Sequence, residues 1–448
     1  MIPEGHHEGR RIAANTAPAD PPRRREPRRG AARPVVESPI GGGARFLVYA
    51  RSPSAGIGAL VLAACGSPGS SVSPPPPPPP TPTTLQGPTS INLYPVTSAT
   101  EGDRLFVMVT AVGANAVSLP LAFDTGSSGV TLYAPSIFPA DMVGSGGFSF
   151  PSGQTSLTFN GITVTDQQGT RAFGGPNGRT QTGNIGYAQV TFGDARGSLT
   201  TDVMPVFLYY RITNTATGDA VSPPVQKGWF GVNSAPDTIA IAGSPVPAGG
   251  YPACASDTTG SCRVVSILKY LRYSSGLNAG FLLSPAPLQA CDIAMVGSCA
   301  AQPMLTVGLT AALEAGFSTA NLACPPGNYV GPDSIAGYPV CQASVPDTTV
   351  TVSGASAGVF TGAVLFDSGT PDMVLNIPPG TTFPAAAPSG TAVLVATPSG
   401  YSYSFTADAG AYNTIVNQNS AAPSIVGIGY FTTNFLFNDL TSSTEGWK

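Results

Sequence analysis

The chain has 448 residues, of which 54 are glycine and 46 proline, with 42% hydrophobic and only 10% charged residues. This is the length of one large domain or two lobes, in a turn-rich, strand-forming composition with little room for long helices. From Cys65 onward ten basic residues face 19 acidic ones, a balance that argues against binding a nucleic-acid backbone. Both histidines, His6 and His7, precede that point, which removes Ser-His-Asp and Cys-His catalysis and the usual His-bearing zinc sites.

Residues 1–47 are rich in Arg, Pro and Gly without apolar periodicity and read as a disordered basic tail. Two origins stand side by side: translation starting at Val48, or an unusually long basic leader. Ala55–Ala64 is an apolar run of ten residues, too short to span a bilayer but suited to the apolar segment of a signal peptide over 48–64. It ends Leu62-Ala63-Ala64-Cys65-Gly66, which resembles the bacterial lipobox. That resemblance implies cleavage before Cys65 and a lipid on its thiol; the alternative is an ordinary signal peptide with a chance cysteine. Residues 65–88 then form a linker in which Pro74 to Pro80 is unbroken, a semi-rigid spacer.

The remaining six cysteines are even in number, and Cys254/Cys262, Cys291/Cys299 and Cys324/Cys341 are neighbours in sequence. Three local disulfides are the natural pairing in an exported protein. Other connectivities stay open. A thiolate metal site would be the competing use, but no CxxC pair occurs.

The body begins near Ile91. Leu105–Val112 reads as a strand, followed by Leu121-Ala122-Phe123-Asp124-Thr125-Gly126-Ser127-Ser128: an apolar run ending on Asp, a hydroxyl residue, Gly and more hydroxyls. This is a buried strand that carries a carboxylate to a tight turn. Thr155–Thr165 reads as strand and turn. The segment from Arg171 through Phe173-Gly174 to Gly178 is a glycine-rich tip before the next strand, hence a hairpin. Trp229-Phe230-Gly231 is an apolar-apolar-Gly step, and Asn233 to Cys262 is loop-like. Val264, Leu268 and Leu271 fall at i, i+4 and i+7, which predicts a short helix over 264–273. Phe281–Ser284, Met304–Gly308, Thr348–Val352 and Phe360–Phe366 read as strands. The last leads into Asp367-Ser368-Gly369-Thr370, a second copy of the Asp turn, and Ile425-Val426-Gly427 repeats the apolar-apolar-Gly step.

Two carboxylates held close together cannot both ionise easily, so they share a proton. One can then take a proton from water while the other gives one to a carbonyl oxygen. A single Asp-Thr-Gly would equally suit an Asx-turn at a strand end; two copies, each with its own apolar-apolar-Gly step, point to chemistry.

At these residues the chain resembles the pepsin-like aspartic peptidases, from Ile91 to the C-terminus. The resemblance implies an all-β, bilobal fold with two β-barrel-like lobes and a cleft between them, the first lobe over 89–290 and the second over 291–448. It implies Asp124 and Asp367 as the dyad, with Gly126 and Gly369 donating N–H groups to the carboxylates. Thr125 and Ser368 would cross-bond the two turns, and Ser127 and Thr370 would bond the outer carboxylate oxygens. The hairpin bearing Phe173 and Gly174 would be the flap over the cleft. Phe173 stands where the family has a flap Tyr, and Gly129–Tyr133 lacks the family's Trp, so turnover is expected to be slow. Tyr94, Tyr209 and Tyr210 read as core or edge residues and not as replacements for the flap hydroxyl.

The leading reading is an exported, lipid-anchored aspartic endopeptidase of the cell envelope, on its periplasmic or cell-surface side. It would be monomeric, would act on a peptide or protein substrate, and would need no cofactor or metal. Two other readings use the same residues: a non-catalytic binding protein on the same fold, and a surface β-protein with coincidental Asp turns.

Overall fold

The computed structural model describes residues 78–98, 102–174, 178–222, 226–244, 253–255, 259–292, 294, 299–322, 341, 344–354, 357–419 and 421–448. The expectations for the leader, Cys65 and the linker up to residue 77 lie outside them. Residues 73–448 form one compact unit, and all that follows concerns it. Its fold is all-β and bilobal, and the only α-helix among the described residues is the single turn Ala311–Glu314.

Each lobe builds its Asp turn in the same way. In the first, Asn115–Asp124 pairs antiparallel with Gly102–Val112. After the turn the chain leaves as Ser128–Tyr133. Gly228–Val232 inserts between the two arms, parallel to the first and antiparallel to the second, with Gly231 opposite Asp124. In the second lobe, Gly358–Phe366 enters the turn and Met373–Asn376 leaves it. Ser424–Val426 lies between them, again parallel to the first and antiparallel to the second. The inserted strand explains the apolar-apolar-Gly steps. A Cβ on Gly231 would lie 2.7 Å from the Ser127 carbonyl, and one on Gly427 would lie 2.2 Å from that of Asp372, so only glycine lets the strand end beneath the turn.

A third, antiparallel sheet draws on both halves of the chain, in the order Thr89–Ser98, Gln302–Leu309, Asn278–Leu283, Leu436–Asp439, Thr444–Trp447, Ser318–Asn321. It buttresses each Asp from behind. Phe123, just before Asp124, meets Phe281 of this sheet edge-on at 6.0 Å and stacks on Phe230 at 5.9 Å. Phe366, just before Asp367, meets Trp447 at 5.5 Å and Tyr430 at 4.9 Å. Large buried aromatics give these contacts both area and direction, so each Asp turn grows out of a rigid floor.

Two local expectations are corrected. Residues 264–273 do not form one helix: Cys262–Val264 is a strand, Ile267–Tyr270 a single 3-10 turn and Arg272–Tyr273 a strand. Ser266, at φ −45° and ψ 130°, is not helical, and Ile267 to Tyr270 are all buried, so the apolar spacing reflects burial on every side and not one helical face. The stretch after Asn233 is also not all loop. Asp237–Ile241 is a strand between Cys262–Val264 and the hairpin.

The expected disulfides Cys254–Cys262 and Cys291–Cys299 are both formed. The third expected pairing, Cys324–Cys341, is not among these two bridges, because Cys324 lies outside the described residues. Cys341 itself is described. It is 3% exposed, its sulfur is disulfide-bonded and does not titrate, and that sulfur lies 2.8 Å from the Ser443 hydroxyl. Cys341 is thereby fixed against the turn that joins the last two strands, and its place in the core suits a small apolar group.

One buried acid gives the fold a pH dependence. Glu445, 4% exposed, sits mid-strand between Asn438 and Ala320, and burial pushes its carboxyl up to about 8. A carboxyl whose folded pKa is raised keeps its full stabilising effect below its unfolded pKa of about 4.3, and loses it as pH rises toward 8. Glu445 should therefore cost the fold on the order of a few kcal/mol as pH rises from about 4.3 toward 8. Glu445→Gln, neutral and of the same shape, should flatten the fall of Tm between about pH 5 and 8.5; an unchanged slope would assign it elsewhere.

Candidate active site

Asp124 and Asp367 come together. Both are buried, 7% and 8% exposed, and their carboxyls lie within hydrogen-bonding reach of one another. The two turns are near copies. Asp124 Oδ1 accepts from the Gly126 N–H at 2.8 Å and the Ser127 N–H at 3.1 Å, and its Oδ2 accepts from the Ser127 hydroxyl at 2.5 Å. Asp367 Oδ1 accepts from the Gly369 N–H at 2.7 Å, and its Oδ2 from the Thr370 hydroxyl at 2.6 Å.

Reciprocal bonds lock the turns together. The Thr125 hydroxyl donates to the Phe366 carbonyl at 2.7 Å and accepts from the Ser368 N–H at 2.9 Å. The Ser368 hydroxyl donates to the Phe123 carbonyl at 2.8 Å and accepts from the Thr125 N–H at 3.2 Å. Each hydroxyl thus bridges a donor and an acceptor of the other lobe's turn in a site closed to water, where such bonds are strong and costly to break. The Asp124 carboxyl is held well above the ordinary carboxyl range, first by burial, then by the charge of Asp367, then by the hydrogen bond to it. The Ser127 and Gly126 donors oppose this without overcoming it. A pair so placed retains one proton into a pH range where isolated carboxyls have lost theirs.

The hairpin is made by Ile162–Phe173 and Arg179–Ala188, with Phe173 opposite Arg179 at the last described pair before the tip. Phe173 is half-buried, and its ring meets Trp229 at 5.3 Å; Gly174 is exposed beyond it. Trp229 lies opposite Ala122, one alternation of the strand before Asp124, so the hairpin leans over the strand that bears the first carboxylate. The Arg104 guanidinium also lies over the Trp229 ring, at 5.2 Å, and donates to the Gly369 carbonyl in the second turn. Tyr94, Tyr209 and Tyr210 are buried at 8%, 0% and 6% exposure and belong to the core.

Sequence reasoning missed a set of straps on the first turn. The Asn233 side-chain amide donates to the Thr125 carbonyl at 2.5 Å, and the Ser128 hydroxyl shares its one proton between the Asn233 and Ala235 carbonyls, 2.7 and 2.5 Å away. Asp237 and Arg171 hold the backbone of Ser128. The available signal was faint: polar residues directly after the apolar Trp229-Phe230-Gly231 step, and one of few arginines next to a hairpin tip. Among the described residues, no group of three or more His, Cys, Asp or Glu could hold a metal ion.

The chain matches no family model and no curated protein. Solved structures similar to it include an aspartic proteinase from Irpex lacteus, at 13% identity and TM-score 0.46, covering 81% of this chain and 97% of that one. Another is the Basic 7S globulin from soybean, at 11% identity and TM-score 0.45, covering 81% and 96%.

Proposed function

We propose that the chain is an aspartic endopeptidase that hydrolyses peptide bonds through a water activated by Asp124 and Asp367. The observation that carries this reading is the pair of buried carboxyls within hydrogen-bonding reach, cross-bonded through Thr125 and Ser368. A structural Asx-turn needs only its own backbone donors; it has no use for a second buried acid facing it. With one proton on the pair, the ionised carboxylate takes a proton from water as it attacks the amide carbon. The protonated carboxyl then donates to the carbonyl oxygen, and the tetrahedral adduct collapses with proton transfer to the leaving amine. Water is the nucleophile, and the chain supplies the remaining groups. Phe173, resting on Trp229, offers an apolar cover without a hydroxyl, which favours slow turnover. The test is cleavage of a mixed peptide library from about pH 3 to 7, blocked by a statine-type transition-state inhibitor. No cleavage at any pH by correctly folded protein would move the reading to a binding protein on the same fold.

Export and lipid anchoring belong to the same proposal. They are supported by the Leu-Ala-Ala-Cys step in the sequence and by two disulfides, which suit an oxidising compartment. Cys65→Ser should release the protein from the membrane fraction. A variant that still fractionates with membranes would remove the anchor from Cys65.

A further inference from the structure

Both backbone polar groups of Ser128, at the exit of the first Asp turn, are held by one ion pair. Its N–H donates to Asp237 Oδ2 at 3.0 Å, and its carbonyl accepts from Arg171 Nη2 at 2.9 Å. The same Arg171 nitrogen bonds the same Asp237 oxygen, so guanidinium, carboxylate and Ser128 close a ring. Arg171 is 5% exposed. It stands opposite Gln181 in the hairpin, two residues before Phe173. Asp237 opens a strand that pairs with the same arm of the hairpin through Ala240 and Thr170. Three segments remote in sequence therefore meet at one point: the Asp124 turn, the hairpin and the Asp237 strand.

Stability alone gives no reason for this arrangement. With Arg171 buried and the Asp237 side chain 33% exposed, the attraction of the pair is largely offset by desolvation of the guanidinium and by solvent screening of the carboxylate. What the pair adds is direction: an apolar contact lets a hairpin slide, whereas the two bonds from Arg171 Nη2, to the Ser128 carbonyl and to the Asp237 carboxylate, fix where those partners sit. We propose that Arg171 is a positioning residue which, with Asp237, ties the hairpin to the Asp124 turn, so that Phe173 and the first carboxylate are set as one unit. The anchoring stands on geometry alone; its effect on turnover rests on the peptidase reading above.

The experiment compares Arg171→Met and Asp237→Asn with Arg196→Met, a control at an exposed arginine in the turn between the strands Val190–Asp194 and Gly197–Thr200. Hydrogen exchange of the hairpin amides in 168–173 and 179–183 is measured beside peptide cleavage. Both test variants should exchange there about tenfold faster or more, while the control should not. Their kcat should fall about 10- to 100-fold with a smaller change in KM, as for a misplacement of roughly an ångström. Arg171→Lys, with the charge but a shorter side chain, should fall between. A merely structural role would lower Tm and leave the kcat of folded protein unchanged. Wild-type hairpin exchange in a folded Arg171→Met overturns the anchor, and faster exchange with unchanged kcat overturns its link to the dyad. If Arg171→Met does not fold, Asp237→Asn and Arg171→Lys are read by the same criteria. If the wild-type protein cleaves nothing, freed hairpin amides in the variants still uphold the anchor, and the peptidase reading alone fails.

Discussion

Asp124→Asn and Asp367→Asn are each expected to abolish peptide hydrolysis, lowering kcat by about 10⁴-fold or more, and the double variant should be scarcely worse than either one. The reason is that the pair works as a unit. An amide at either position removes the shared proton, so the partner is no longer both protonatable and opposed by a like charge. The Asp124 carboxyl is raised by burial and by Asp367 together, so the pair should hold its proton to a higher pH than two isolated carboxyls would. Activity should accordingly be greatest in acid and decline as pH rises through the upper apparent pKa of the pair, where the general acid is lost. Each Asn variant keeps the shape of the turn and its backbone donors, so Tm should change little by comparison with the loss of rate. Cleavage that survives Asp124→Asn would mean that the hydrolysis belongs to other residues.

How far the site was legible depended on whether its signals were local. Asp124, Gly126 and Ser127 lie within four residues, and so do Asp367, Gly369 and Thr370; hydroxyl and glycine spacing in a turn is set by short-range geometry and survives in the sequence. The inserted strands were legible for a similar reason, because Gly231 and Gly427 each meet a backbone that excludes any Cβ. The straps on Ser128 were not. Arg171 and Asp237 are 66 residues apart, and nothing near either one marks a buried partner. The turn at Ile267–Tyr270 misled for the opposite reason. Its apolar residues are buried on every side, so their spacing carried no information about a helical face. The strand Asp237–Ile241 hid because it is short and is completed by pairing with the hairpin and with Cys262–Val264, which is tertiary context and not propensity.

The second large effect concerns the glycines of the turns. Each one closes against the carboxylate of the other lobe: a Cβ on Gly126 would lie 2.4 Å from Asp367 Cγ, and one on Gly369 would lie 2.6 Å from Asp124 Cγ. Ordinary contact needs more than 3 Å or so, so Gly126→Ala or Gly369→Ala must drive the turns apart by roughly an ångström. The hydroxyl bridges of Thr125 and Ser368 resist that movement, since each is bonded to the opposite turn at both ends. Their geometry cannot be kept while the methyl is accommodated. The carboxyls then separate, the Asp124 carboxyl loses part of what raises it, and the proton is no longer shared. Each substitution is expected to lower kcat/KM by at least about 100-fold and to move the alkaline limb of the pH profile to lower pH, with the disulfides and the β-sheet spectrum intact. A shift of that limb separates this cause from simple unfolding, which would scale the whole profile without moving it. Gly126→Ala at the wild-type rate and with the wild-type profile would show that the contact between the turns does not set the dyad.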